Sequence, residues 1–358
     1  MSLRYSFLLV FCFLGISCAF CGANENAQEP PYIKRLNTLT IEELLKKADD
    51  GDSESQFLLG LCYAWGEKGV QKDMKKSYNY MLKAAKQGQA DAECQLGAWN
   101  LRGEIVEKNY SEAVKWFSSS AQHNNTAGQF YLALCYEDGL GVDKNIQIAK
   151  HWYKKAALQG MAEAQFKIAI LSVFTEKKFT QESIKWLEKS AQQDYDEALN
   201  LLALCYKNGD GVKADIPTAI KLLKKGVARG NPESQHELAM IYFHGMGGTK
   251  PNIPEAVRLL KASASQGYPG ALYDLALCYL YGEEVKKDLG QAVSLFKKAA
   301  NAGYADAAFN LFVCYLNGEG VKKNDEEALK WLKEADKLGS KAAKELLLKY
   351  QGSQYERF

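Results

Sequence analysis

A motif that returns about every 36 residues constrains this chain more than any other feature. The segment Gln56-Phe57-Leu58-Leu59-Gly60-Leu61-Cys62-Tyr63 recurs as Gln129-Phe130-Tyr131-Leu132-Ala133-Leu134-Cys135-Tyr136, and shortened copies stand at 202–206, 275–279 and 311–315. Its small-residue position falls at Gly60, Gly97, Ala133, Ala169, Ala203, Ala239 and Ala276, with the larger Phe312 last, in steps of 37, 36, 36, 34, 36, 37 and 36 residues. Spacing this constant means a tandem array, in which each unit buries its apolar face only against its neighbours.

Within each copy a first segment carries apolar residues at helical spacing, as in Phe57, Leu58, Leu61 and Cys62. A glycine turn follows, for example Gly139-Leu140-Gly141-Val142 or Gly318-Glu319-Gly320-Val321, because ending one helix and reversing direction calls for positive φ. A second amphipathic segment comes next (Ala149, Trp152, Tyr153, Ala156, Ala157), and glycine closes most units at Gly88, Gly160, Gly230, Gly267, Gly303 and Gly339. Bulky Trp116, Trp152, Trp186 and Trp331 alternate with small Ala157, Ala191, Ala264 and Ala300, as helices need if they are to approach to about 8–10 Å. The pattern predicts an all-α chain of stacked helical hairpins. Repeat four departs from it, with Thr175-Glu176-Lys177-Lys178 in the turn, and repeat six has a longer connection, 245–254.

These residues resemble the Sel1-like repeat family, relatives of the tetratricopeptide repeat. Ala162-Glu163-Ala164-Gln165, Leu59-Gly60, Tyr63, Gly141-Val142, and Ala156-Ala157 with Gly160 stand where that family's pattern has Ala-x-x-x-Leu-Gly-x-x-Tyr, Gly-x-Gly-Val and Ala-Ala-x-x-Gly. The resemblance covers about residues 51–339. It implies a right-handed α/α superhelix (a solenoid) of about eight repeats and a non-enzymatic scaffold for protein–protein interactions in envelope assembly, signalling or host contact. Two alternatives stay open. One is a cell-wall- or antibiotic-directed hydrolase; the other is a lumenal adaptor of a eukaryotic secretory compartment, which would make Asn109-Tyr110-Ser111 and Asn124-Asn125-Thr126 glycosylation sites.

The ends read differently. Arg4, an apolar run over 5–20, small Cys21-Gly22-Ala23 and polar Asn24-Glu25-Asn26 have the layout of a secretory signal over 1–23, with an uncleaved anchor or a lipidated Cys18 or Cys21 as alternatives. Residues 24–38 read as a linker, 39–50 as a capping helix opened by Thr40 and Glu43, 340–350 as a final helix after Ser340, and 351–358 as a tail. The expected place of action is secreted or periplasmic, with no integral membrane segment once the signal is removed.

Chemistry is sparse. A net charge of +2, from 45 basic and 43 acidic residues, gives no reason to expect nucleic-acid binding. Cys62, Cys135, Cys205, Cys278 and Cys314 share one repeat position, where neighbours about 10 Å apart exceed the ~7 Å reach of a disulfide. They and Cys94 read as buried thiols. The paired cysteines of cysteine-rich family members are absent. His236 and His244 stand eight residues apart, not the four that set two ligands side by side, so neither metal nor other cofactor is expected. If the stacking is tetratricopeptide-like, the ends of the first helices line the concave wall, and a protein or peptide would be held there by Trp65, Arg102, Asp138, Phe243, His244, Tyr281 and Asn317. For the aromatics among them, packing under adjacent loops is the competing role.

Overall fold

The structure, a computed structural model, describes residues 31–248 and 250–355; the signal expected over 1–23 lies outside them. Among the described residues nineteen α-helices and one short 3-10 turn follow one another, with no strand. Two compact units divide between Ala198 and Leu199, inside the first helix of repeat five, Asp196–Asn208. In the first unit, helices Pro31–Thr38 and Ile41–Asp49 precede four hairpins: Ser53–Trp65 with Met74–Ala85, Ala90–Arg102 with Tyr110–Gln122, Thr126–Asp138 with Ile146–Leu158, and Ala162–Glu176 with Gln181–Gln192. In the second, the rest of repeat five with Ile216–Ala228 is followed by Pro232–His244 with Ile253–Ser265, Pro269–Tyr281 with Leu289–Asn301, Ala305–Asn317 with Asp325–Lys337, and a closing helix Lys341–Tyr355.

The turns explain why hairpins form. Each first helix stops on a left-handed residue: Gly66, Gly103, Gly139, Gly209, Gly245, Gly282 and Gly318 have φ between 62° and 84°, and in repeat four Lys177 takes that role at 56°. The chain then reverses, and the residue before the second helix ties back to the first, as Asn145 N–H does to the Tyr136 carbonyl (2.8 Å) and Asn324 N–H to that of Tyr315 (3.0 Å). The same side chains cap the second helix: Asp73, Asn109, Asn145, Asp215, Asn252, Asp288 and Asn324 each accept from its first-turn N–H groups, which otherwise lack partners.

Packing within each hairpin sets large against small. A Cβ on Gly97 would stand 2.6 Å from the Phe117 ring, and one on Gly60 would stand 2.9 Å from Met81. In the first unit one core cluster runs from Leu44 through Phe57, Leu59, Met81 and Leu96 to Trp99, and burial continues through Phe117, Leu132, Tyr153 and Leu187; the second unit's core runs from Leu223 through Leu260, Phe296 and Leu311 to Leu332. Neither helix of a pair encloses its apolar stripe alone, so the fold is an all-α solenoid of helix-turn-helix repeats.

Two boundary expectations change. Part of the expected linker 24–38 is helix, because Tyr32, Ile33 and Leu36 make a short apolar face. Ile33 and Leu36 are buried, and Tyr32 meets Phe57 edge-on with ring centroids 5.5 Å apart. Pro31 at the first helical position suits that start. The last helix runs on to Tyr355, into the expected tail. The predicted caps are present: Thr40 and Glu43 form a reciprocal capping box, and Ser340 Oγ accepts from Ala343 N–H at 3.4 Å.

Candidate functional site

Thirteen-residue first helices in seven repeats put chemically equivalent positions in register. Their second, sixth, ninth and last residues share one helical stripe. The last residue always precedes the left-handed turn, and six of the seven expected contact residues stand there.

In the first unit, Trp65 is half-buried against the core, and its indole N–H is buried with no acceptor. Arg102 lies 3.3 Å from the Glu104 carboxylate and also engages Tyr131. Asp138 is exposed. In the second unit Phe243 packs partly on the core and meets the exposed His244 edge-on, ring centroids 5.5 Å apart. Tyr281 is 67% exposed. Asn317 is exposed and donates to Glu319 at 3.1 Å. Trp65 and Phe243 therefore serve packing at least in part, while Asp138, His244, Tyr281 and Asn317 face solvent.

Phe174 was not among the expected residues. It holds the same register in repeat four and is 75% exposed. The missing glycine turn hid it, because its helix continues to Glu176.

Beside this edge runs a ladder of polar pairs that no motif announced. In the first unit Lys167 of repeat four reaches Glu137 of repeat three at 3.2 Å, and Tyr153 O–H donates to the same carboxylate at 2.6 Å. In the second, Lys207 pairs with Glu237 at 2.6 Å, and His236 Nε2 with Asp274 at 2.7 Å. Asn310 donates to Tyr273 at 3.4 Å. His236 Nδ1 is buried without a hydrogen-bond partner. Apart from the Tyr153 bond, which is made within repeat three, each pair joins first helices of successive repeats.

Acids at the second position behave unevenly. Burial pushes the Asp91 carboxyl up, with Glu54 adding to it, although Asn125 and Gln89 donate to it. Burial and then Glu197 push Glu163 up. All six described cysteines are free and buried. Burial raises the thiols of Cys62, Cys278 and Cys314 to about 11 and those of Cys135 and Cys205 to about 12, so they remain protonated at neutral pH and act as small hydrophobes. Among the described residues no group of three His, Cys, Asp or Glu is placed to hold a metal ion, and no helix is long and apolar enough to cross a membrane. Both expected glycosylation asparagines carry structural duties: Asn109 caps a helix, and Asn124, at φ 61°, accepts from Gln129 at 3.1 Å.

Comparison with known proteins agrees with this anatomy. A protective antigen of uropathogenic Escherichia coli with an SLR fold is 28% identical, with a TM-score of 0.72 over 90% of this chain and 68% of that one. A Sel1 repeat protein from Oxalobacter formigenes is also 28% identical, with a TM-score of 0.67 over 91% and 95%. Chitin synthase regulatory factor 3 of Schizosaccharomyces pombe is 32% identical over 94 residues, which are 26% of this chain and only 10% of that protein's length. The Sel1 repeat profile matches eight consecutive segments, 53–89, 90–125, 126–161, 162–195, 196–231, 232–268, 269–304 and 305–340. Eight matched units, each a capped helical hairpin, mean that the chain belongs to the Sel1 repeat family.

Proposed function

We propose that this protein is a non-enzymatic scaffold that holds a protein or peptide along the face built by its first helices, the wall expected to be concave. It works after export, in the periplasm or outside the cell, with a lipid-anchored form as the alternative. The observation that carries the reading is the pair of aromatics at this register, Phe174 and Tyr281, which are 75% and 67% exposed. Large aromatics left in water on a rigid helix end are the side chains that dominate partner affinity. The similarity to a protective antigen and to a regulatory factor supports it. The hydrolase alternative has the His236–Asp274 pair in its favour, but the other imidazole nitrogen is buried without a hydrogen-bond partner, 3.9 Å from the Glu237 carboxylate.

The test is photo-crosslinking from position 281 in the cells that make the protein, followed by affinity measurement with the captured partner. Phe174→Ala and Tyr281→Ala are each expected to weaken binding about ten-fold or more with unchanged melting temperature. Unchanged affinity in both variants would refute this face as the binding surface.

A further inference from the structure

Charge in the second unit is unevenly shared between first and second helices. Its three complete first helices, Pro232–His244, Pro269–Tyr281 and Ala305–Asn317, contain four carboxylates and no Lys or Arg, although the chain has 45 basic residues. Of its four second helices, Ile216–Ala228, Ile253–Ser265 and Leu289–Asn301 hold seven Lys or Arg and a single acid, Glu255, whereas the last, Asp325–Lys337, holds five acids and three lysines. The acids sit at the second and sixth positions: Glu233, Glu237, Asp274 and Asp306. One turn further along the same stripe stand half-buried Met240, Leu277 and Val313, and beyond them His244, Tyr281 and Asn317. Each first helix thus runs from an acidic end through an apolar middle to an uncharged end.

Internal partners engage only part of these carboxylates. Lys207 takes Glu237 and His236 takes Asp274. Glu233 accepts only a neutral Asn200 amide at 3.1 Å, and Asp306 is exposed. The field reaches the neighbouring phenols. Burial first, then Glu233 and Glu237, raise Tyr268 to about 12; burial, then Asp306 and Asp274, raise Tyr273 and Tyr304.

We infer that this face binds an extended, cationic protein segment carrying Lys or Arg at about every third residue with apolar residues between. The inference rests on the scaffold reading above and adds the partner's chemistry. Its spacing follows from geometry: neighbouring helices stand about 8–10 Å apart, and a chain in the polyproline II form advances about 3.1 Å per residue with three residues per turn, so every third side chain lies on one face and meets successive repeats. Cations facing Glu233 and Asp306 would gain partners on the acidic side, and the intervening side chains would cover Met240, Leu277 and Val313.

The full chain would be titrated, by fluorescence anisotropy, with three peptides of about twelve residues, long enough to cross about four helices at that spacing. One has lysine at every third position among leucine and alanine, one is an isomer with the lysines contiguous, and one has glutamate in place of lysine. The spaced lysine peptide is expected to bind tightest and to weaken as salt screens the contact. Asp306→Asn and Glu233→Gln should each lower its affinity about five-fold, while Glu255→Gln on a second helix leaves it unchanged. Asp306 is exposed, so its variant tests the charge without disturbing the fold. A glutamate peptide that binds equally well, or an Asp306→Asn chain with native affinity, overturns the inference. Equal binding of the contiguous isomer overturns the spacing. These outcomes differ from failure of the scaffold reading itself: an acid-blind face can still lose its crosslinked partner when Phe174 and Tyr281 are truncated.

Discussion

At the scale of single residues, the array is a set of volume exchanges. Repeat two shows this best. Cys94 stands where Phe57 and Phe130 stand in repeats one and three, while Trp99 takes the slot filled by cysteine in five others, and both are buried. One repeat has moved bulk by five residues along the helix without changing its interior. Gly97 and Phe117 are a second exchange. Gly97→Ala forces a methyl group into the Phe117 ring and is expected to cost about 1–3 kcal/mol, and Phe117→Leu in the same chain should recover part of it. Thermal denaturation of the two singles and the double variant measures this; strictly additive losses would show that the ring is not what the methyl meets. Glu163 supplies a pH-dependent case. Its folded pKa is raised by burial and by Glu197, so the native chain binds that proton more tightly than the unfolded chain. The ionised form therefore weakens the fold fully above the folded pKa, and the penalty fades as pH falls through that value and is gone below the unfolded one of about 4.3. Glu163→Gln should melt higher than the native chain at neutral pH, with the gain vanishing in acid. A gain that persists in acid argues against an ionisation origin.

At the scale of the element, each hairpin depends on two stops and one start. The left-handed glycine ends the first helix, and the Asp or Asn before the second helix caps it while its own N–H ties back to the first. Asn145 accepts from both Gln147 and Ile148 N–H groups, each at 3.1 Å. Asn145→Ala is expected to cost about 1 kcal/mol, and Asn145→Asp to cost much less; urea denaturation of the pair distinguishes the cap from mere loss of a side chain. Repeat four shows how much the stop tolerates. Lys177 adopts the left-handed conformation without being glycine, and a capping box of Thr180 and Ser183 starts the next helix. The glycine column was plain in the sequence. The Asx column was equally regular there, yet its role is visible only once the helix starts are known, because Asp and Asn are also common in ordinary loops.

At the scale of the whole molecule, contacts run between neighbouring repeats, so destabilisation should spread locally. Trp99→Ala, which empties a fully buried site in repeat two, is expected to raise amide hydrogen exchange through repeats one to three well before repeats six to eight. Uniform acceleration along the chain would mean that it opens as one cooperative block. The sequence by itself determined the helical class, the number and register of the repeats, the capping box at Thr40 and the burial of the cysteine column. The capping box follows from a short local motif and the rest from periodicity, and neither needs knowledge of neighbours. It also placed the exposed column at the first-helix ends, though it missed Phe174 for want of a glycine beside it. Only the tertiary structure decided that 31–38 is a helix lying over Phe57, that Trp65 and Phe243 are tied into the core, and that Lys207, Glu237, His236 and Asp274 form one ladder. Those facts depend on which residues of one repeat meet those of the next. A distance of 2.7 Å between His236 and Asp274, 38 residues apart, is set by how helices stack and is written in no single repeat.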